Sequence, residues 1–260
     1  MNFHDLFGGV GAGLAGGFTS GLLGVSPGGG LVVFCVLLLG AEQHVAQGIS
    51  LVAQIPPTSL SGIARYREKG SRSPLRWLVL LAIGFIAGGV AGALAANSVA
   101  TAVLQWTYDA YLVALDAMLI LRGNRTSADH EQGDAKRDLP TSALLVVGLL
   151  AGLSSGFLGI GGGLATVVGL SAVFGVPQHQ AQMISLVLSL IPTTLPSTWI
   201  YWKSGALASW PTLAGVILGL VVGADIGARF ANRIEPTKLR VTLIFFVSLM
   251  AVYMAFMAWA

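Results

Sequence analysis

The sequence has few charged residues and a single cysteine. Charged side chains make up 10% of its 260 residues, against about 25% in an ordinary soluble domain. So few charges could not cover the surface of a water-soluble fold of this length. Cys35 alone excludes an internal disulfide and cannot form a metal site by itself, and we expect no metal ion or cofactor. No Lys or Arg precedes the first apolar run, so we expect this run to be retained rather than cleaved as a signal peptide.

Long apolar stretches are abundant instead. Each is near the roughly 20 residues that a helix needs to cross a bilayer, and they are Leu6–Val25, Val45–Ala64, Trp77–Ala96, Thr141–Ile160, Ala181–Trp202, Trp210–Ala228 and Val241–Ala260. They predict an all-α polytopic protein in a lipid bilayer. The pI of 9.2 does not indicate nucleic-acid binding, because the basic residues lie in short loops between apolar stretches and are typical of topology signals.

An internal repeat relates the two halves of the chain at an offset of 135 residues. From Gln43 to Leu60, 11 of 18 positions are identical at that offset. Tyr66 aligns with Tyr201, and Gly28–Gly30 match Gly161–Gly163 once a two-residue insertion is allowed. Matched polar residues are not expected between unrelated apolar helices. We therefore predict a first membrane repeat at 1–121, a cytoplasmic linker at 122–140 and a second repeat at 141–260.

Each repeat is predicted to break at its glycine cluster. The runs Gly28–Gly40 and Gly161–Gly175 would reach only about 20 Å as helices, which is too short to span the bilayer comfortably. Each repeat should therefore hold broken or re-entrant short helices and three spanning helices. Whether the short pieces cross or re-enter is left open. Breaks at corresponding places in two halves indicate the binding site of a repeat-built transporter.

Loop charges predict that the two repeats have inverted topology. Lys and Arg accumulate in short cytoplasmic loops. The inverted arrangement places 13 of the 14 basic residues on the cytoplasmic side, whereas parallel repeats would place ten there. We therefore expect an odd number of crossings in each repeat and both termini on the extracytoplasmic side.

The glycine clusters are candidate anion sites. A break exposes the backbone N–H groups that begin the next helix, where the helix dipole is positive. The candidate residues are Ser20, Gly24, Gly28, Gly29 and Gly30 in the first repeat and Ser155, Gly159, Gly161, Gly162 and Gly163 in the second. The alternative is that these glycines serve only close helix packing.

Uncharged polar residues recur in both repeats and are candidates for a substrate pathway. Spacings of three place each trio on one helical face: His44, Gln47 and Ser50, and His179, Gln182 and Ser185. Interhelical hydrogen bonds, or an interfacial position for the histidines, are the alternative. Pro57 and Pro192 lie within apolar runs and would free carbonyl groups for Thr58, Thr193, Thr194 or a ligand, unless they only kink the helices.

Three acidic residues interrupt apolar segments: Asp109, Asp116 and Asp225. Asp225 is expected to pair with Arg229 four residues later, and Asp116 lies near the linker. Asp109 is the best candidate for a proton carrier, although its counterpart in the second repeat is Ile244. The sequence leaves two further partners open, a proton and a second copy of the chain.

Two motifs in each half resemble those of the TauE/SafE sulfite exporter family. They are Ser-Gly-(Leu/Phe)-Leu-Gly-(Val/Ile) followed by three glycines, and His-x-Ala-Gln-x-x-Ser-Leu. The resemblance covers nearly the whole chain and implies transport of a sulfur-containing anion across the bacterial cytoplasmic membrane. Sulfite, sulfonates, sulfoacetate and thiosulfate belong to that class. The chain departs from the family where Ser26-Pro27 precedes Gly28 and where Phe34–Leu37 lacks a proline, so the second cluster is the better candidate contact.

Other functions fit the sequence less well. A membrane hydrolase would need a serine nucleophile and a histidine base, but Gly17-Phe-Thr-Ser20-Gly21 is not a nucleophile elbow. A reaction centre would also have no use for both partners twice. A carboxylate carrier, a passive anion channel and a membrane scaffold remain the alternatives to a carrier of sulfur-containing anions.

Overall fold

The computed structural model of the chain describes residues 3–23, 26–56, 74–121, 139–176, 178–231, 245 and 248–256. Within these ranges the regular structure is helical: α1 (Phe3–Leu23), α2 (Gly28–Leu39), α3 (Gln43–Ala53), α4 (Leu75–Ser98), α5 (Thr101–Leu121), α6 (Thr141–Leu158), α7 (Gly163–Val168), α8 (Gln178–Leu188), α9 (Leu195–Lys203) and α10 (Trp210–Ala231). A π-helical turn, Gly169–Val173, extends α7, and residues 248–256 are also helical.

Three of the described helices are long and apolar enough to cross a membrane: Leu75–Ser98, Thr141–Leu158 and Trp210–Phe230. Large apolar side chains on their outer faces are exposed, including Leu150 at 60% and Leu218 at 62%. Exposed apolar surface on this scale is expected where lipid, rather than water, surrounds the protein. The described part of the chain is therefore an all-α membrane protein.

Glycine-lined faces bring four long helices into two close pairs. α1 presents to α10 a glycine at every fourth position: Gly9, Gly13, Gly17 and Gly21. The face of α10 that contacts α1 contains Gly215, Gly219, Gly223 and Gly227. α4 and α6 pack in the same way through Gly84, Gly88 and Gly92 and through Gly148, Gly152 and Gly156. Small residues let the backbones approach closely, and van der Waals packing then holds helices together in lipid.

The two helices of each pair run in the same direction, and the repeat offset relates one pair to the other. Gly9 lies against Thr212 and Gly21 against Ala224, so α1 and α10 run in the same direction. Successive glycines along α4 likewise lie against successive residues along α6, so these two helices also run in the same direction. At an offset of 135 residues α6 is the counterpart of α1, and α10 is the counterpart of α4. Each repeat thus contributes one helix to each pair.

Further contacts give the directions of α1 and α4. Leu39 at the end of α2 lies against Gly8 near the start of α1, so α1 and α2 are antiparallel. The Ser26 hydroxyl before α2 donates to Oε1 of Gln54 after α3 at 2.7 Å, so α2 and α3 form a hairpin.

His44 in the first turn of α3 is hydrogen-bonded to Asn97 near the end of α4 at 2.9 Å. The start of α1 and the end of α4 therefore lie at the same end of the molecule, and the two helices run in opposite directions. Because α6 is parallel to α4, α1 and α6 are also opposed, which is the relation that inverted repeats require. The side of the membrane that each end faces stays a prediction.

The structure corrects the alignment of the two glycine clusters. α2 begins at Gly28 and α7 begins at Gly163, and these helices are followed by Gly40 and Gly175, with φ of 61° and 68°. Both pairs of positions keep the 135-residue offset, so the predicted two-residue insertion is wrong. The insertion aligns the glycines of one cluster with those of the other. The helix ends instead align Ser26-Pro27 of the first repeat with Gly161-Gly162 of the second.

Two of the predicted continuous segments are interrupted. In the run Ala181–Trp202, α8 ends at Leu188 and α9 begins only at Leu195. In the run Val45–Ala64, α3 ends at Ala53. The turn before α9 contains Pro192, which cannot donate a backbone hydrogen bond and has a ring that blocks a continuing helix. The first of the three spanning helices predicted in the second repeat is therefore two short helices.

Candidate functional site

The two glycine breaks meet inside the molecule. A side chain at Gly28 would approach to 2.7 Å of the Cα atom of Ile160, so the start of α2 lies against the second break. A side chain at Gly163 would likewise lie 2.7 Å from Cβ of Ser26. Gly159, Gly161 and Gly162 all have positive φ, of 71°, 81° and 60°, a conformation that side chains with a Cβ rarely adopt.

A hydrogen-bonded network connects α3 to both breaks. The Ser50 hydroxyl donates to the Gly159 carbonyl oxygen at 2.7 Å. The Gln54 amide nitrogen donates to the backbone oxygen of Ser50 at 2.9 Å, while its Oε1 accepts from Ser26 at 2.7 Å. The same amide nitrogen lies 3.4 Å from the Gly159 carbonyl oxygen, so Gln54 contacts both breaks at once. Both Gln54 and Ser50 are buried, with exposed fractions of 8% and 0%.

A small cavity lies beside this network on the side of the second repeat. Its lining is polar on one part and apolar on another, and consists of Gln54, Phe85, Gly161, Gly163, Thr166, Ser185, Leu188, Ser189, Ile191, Thr193 and Thr194. The lining residues carry hydroxyl, amide and backbone groups but no ionisable side chain. Such a lining can hold an anion through hydrogen bonds alone.

Three hydroxyl groups of the lining are already engaged, including that of Ser189, which donates to the Leu186 carbonyl oxygen at 2.8 Å, and the Thr194 hydroxyl is not. The Ser185 hydroxyl donates to Gly163 at 3.0 Å, and the Thr166 hydroxyl donates to Gly162 at 3.0 Å. The Oγ1 atom of Thr194 is buried and has no hydrogen-bond partner among the described residues. Because an unpaired buried hydroxyl is unusual in a native protein, Thr194 is the lining residue most available to a ligand.

The model of the sulfite exporter TauE/SafE family matches residues 9–254. The chain belongs to the TauE/SafE sulfite exporter family. This finding agrees with the resemblance of its sequence motifs, and it identifies the protein as a membrane transporter.

Curated relatives with similar sequences have general names. Probable membrane transporter proteins from two strains of Xylella fastidiosa, Temecula1 and 9a5c, are each 28% identical over 100% of this chain and 98% of their own length. The probable membrane transporter protein YdhB of Bacillus subtilis is 26% identical over 86% of this chain and 89% of its own length. No solved structure matches the chain.

In this TauE/SafE protein the predicted site residues of the second repeat lie closest to the cavity. Gly161, Gly163, Ser185 and Thr193 line it. Gly159 and Gly162 belong to the adjoining backbone, Pro192 lies in the turn before α9, and Ser155 is buried on α6. Gln182 is half-buried on α8.

Predicted residues of the first repeat lie around the network. Gly28 packs on the second break, and the carbonyl oxygen of Gly29 accepts a hydrogen bond from Tyr108. Gly30 faces Thr19, while Ser20 is half-buried on α1.

Two predicted residues of the first repeat connect α3 to α9. Gln47 accepts a hydrogen bond from the Tyr201 hydroxyl at 2.9 Å, and the His44 ring centroid lies 5.6 Å from that of Tyr201. The remaining predicted site residues lie outside the described residues: Gly24, Pro57, Thr58 and the side chain of His179.

The structure describes the side chains of two of the acidic residues singled out in the sequence, one on α5 and one on α10. Asp225 forms the expected ion pair with Arg229, with 2.7 Å between Oδ2 and the guanidinium. Asp109 follows Tyr108 on α5 and is half-buried. Tyr108 is itself tied to the first break through Gly29, so Asp109 is one residue from a direct contact with that break.

Sequence reasoning missed Gln54 and Ser26 as site residues, whereas Thr194 was named beside Thr193. Gln54 follows Ser50 by four residues, so it lies on the same face of α3 as Gln47 and Ser50, and this spacing could have identified it. The repeat itself does not point to Gln54, because the residue at the repeat offset is Ser189 rather than glutamine.

Proposed function

We propose that this TauE/SafE protein is a secondary transporter that moves a small sulfur-containing anion across the bacterial cytoplasmic membrane by alternating access. The cavity at the meeting point of the two breaks would hold the anion. Sulfite, a sulfonate, sulfoacetate and thiosulfate form the proposed substrate class. The observation that carries the proposal is a lining of neutral hydrogen-bond donors at a junction of broken helices, which is where repeat-built transporters bind their substrates.

Neutral donors suit a carrier that must also release its cargo. A buried lysine or arginine would be costly to desolvate without a partner, and it would hold an anion tightly once paired. Hydroxyl and amide groups supply directional hydrogen bonds at a smaller desolvation cost. The apolar residues Phe85, Leu188 and Ile191 keep water away from the remaining surface of the ligand.

The size of the cavity supports alternating access. Its volume of about 20 Å³ is close to the space that one water molecule needs. A sulfur oxyanion is larger, so the residues that line the cavity must separate when the anion binds. Gln54 and Ser26 connect the two breaks, and we infer that these two residues move apart when the lining separates.

We also propose that transport is coupled to protons through Asp109. Its Oδ1 atom is buried without a hydrogen-bond partner among the described residues. Intramembrane carboxylates are commonly functional. The neighbouring Tyr108 connects this part of α5 to Gly29 at the first break.

The substrate class is tested with the purified protein. We expect sulfite, thiosulfate or sulfoacetate to raise its melting temperature, whereas acetate and succinate should not. Proteoliposomes loaded with the stabilising anion should then show counterflow without electrical conductance. Stabilisation by carboxylates alone would refute the sulfur assignment, and an ohmic current would indicate a channel.

The position of the site is tested with Thr194→Val. Valine keeps the shape of threonine and removes a hydroxyl that has no partner among the described residues, so the melting temperature without ligand should not fall. The shift produced by the anion should decrease. Thr166→Val is the matched control on the same cavity, because its hydroxyl is already bonded to Gly162 and its loss should reduce stability. An undiminished anion shift in Thr194→Val would exclude this cavity as the site.

A further inference from the structure

Buried polar atoms without a hydrogen-bond partner cluster on three helices beside the cavity. Among the described residues outside α5, such atoms belong to Gln43, Gln47, Ser155, Thr194 and Thr198. Each of these residues is at most 6% exposed. Buried polar groups are nearly always bonded to protein or to ordered water. Five exceptions in one region therefore require a common explanation.

The unpartnered residues of α9 and α3 face one another. Thr194, which immediately precedes α9, is separated from Thr198 and Tyr201 by four and seven residues, which places the three on one helical face. Gln43 and Gln47 are separated by four residues on α3 and share a face in the same way. The hydrogen bond from Tyr201 to Gln47, 2.9 Å long, shows that these two faces are opposed.

α6 closes the third side. The Tyr201 hydroxyl also lies 3.0 Å from the carbonyl oxygen of Gly156, the residue after Ser155. Gly159, the residue that follows α6, contacts Gln47 and accepts the hydrogen bond of Ser50. By helical spacing from these contacts, the five unpartnered residues are expected along the line where α3, α6 and α9 meet.

This line connects the cavity with one end of the molecule. Thr194 lines the cavity itself. At the other extreme, α3 begins next to the end of α4, where half-buried His44 is bonded to Asn97 at 2.9 Å. The His44 ring also lies beside Tyr201, which stands between the two ends of the line.

We propose that α3, α6 and α9 enclose a hydrated access route from the cavity to the end of the molecule at which α3 begins. The proposal rests on the proposed function, in that the cavity holds the anion. Water along the route satisfies the five polar residues, because polar groups at membrane depth are tolerated where they face protein or water. The hydrogen bond between Tyr201 and Gln47 forms its constriction. The loop charges predict that this end is extracytoplasmic.

Thiol labelling tests the route. Cys35 is the only cysteine and is buried, so Cys35→Ala provides a background without thiols. Ser155→Cys exchanges a hydroxyl for a thiol on the proposed route. Ala151→Cys lies one turn earlier on α6, is equally buried at 0% exposed, and packs in an apolar cluster. The reagent is methanethiosulfonate ethylsulfonate, an anion that does not cross membranes, added to right-side-out vesicles.

We expect the Ser155→Cys variant to be labelled and the Ala151→Cys variant to remain unlabelled. Sulfoacetate should slow the labelling if it occupies the cavity. If both variants fold and both resist labelling equally, the proposed route is overturned. Labelling that no candidate anion slows would support the route and count against the proposed function, so the two failures are distinguishable.

A second variant tests the route through transport. Thr198→Val removes a hydroxyl with no partner in the described structure, so stability and anion binding should be retained. The rate of counterflow should fall, because the route loses one of its polar groups. An unchanged rate with unchanged binding would overturn the proposal.

Discussion

Replacing Gly161 with alanine tests the contact between the two breaks. Gly161 has a φ of 81°, and a residue with a Cβ in this left-handed conformation costs about 1–2 kcal/mol. The new methyl group would also lie 2.6 Å from Cδ of Gln54 and would overlap the Ser26 hydroxyl. Overpacking of a filled position adds about 1–3 kcal/mol. We expect Gly161→Ala to lower the free energy of unfolding by about 2–5 kcal/mol.

Gly205→Ala is the matched control for this substitution. Gly205 has a similar φ of 77°, but no atom lies within 4 Å of the position of its added methyl group. Its cost should be the backbone contribution alone, about 1–2 kcal/mol. Stability is measured by denaturant titration in detergent, and anion binding by the melting shift. Equal destabilisation of the two variants, with anion binding retained in both, would refute the close packing of Gly161 on Gln54.

Three further predictions concern packing, the network and coupling. Gly13→Ala should prevent folding or strongly lower the melting temperature, because its methyl group would lie 2.9 Å from backbone atoms of α10, whereas Gly11→Ala meets no atom within 4 Å and should be tolerated. Ser50→Ala should cost about 1–3 kcal/mol in denaturant titration, since the buried Gly159 oxygen loses its best donor. Asp109→Asn should abolish flux driven by a pH gradient while sparing the anion-induced melting shift; retained gradient-driven flux would exclude it as the proton carrier.

Much of the fold could be predicted because the repeat leaves a periodic signal in the sequence. The glycine pattern at positions 84, 88 and 92, repeated at 219, 223 and 227, marks the faces on which the long helices pack. The short helices after the breaks were also predicted. The interruption of Ala181–Trp202 was less visible, because this run stays apolar across the turn and Pro192 is its main signal.

The site was harder to predict because its contacts join distant parts of the chain. Ser50 and Gly159 are separated by 109 residues, and Tyr201 and Gln47 by 154. The repeat identifies residues that occur twice, but Gln54 and Ser26 have the counterparts Ser189 and Gly161 once the helix ends are aligned. A search for symmetric residues therefore finds the junction of the breaks and misses the groups that make it asymmetric.

This asymmetry bears on the choice among the proposed anions. The second break contains three left-handed glycines, whereas the first carries the Ser26 side chain and Pro27 with a φ of −68°. The described cavity lies on the second side and combines hydroxyl groups with Phe85, Leu188 and Ile191. A site with unlike walls suits a ligand with unlike ends, and a sulfonate with an organic substituent has such ends. Sulfite offers little for the apolar wall to contact, so the asymmetry favours an organosulfonate within the proposed class, and the relative melting shifts with sulfoacetate and sulfite decide between them.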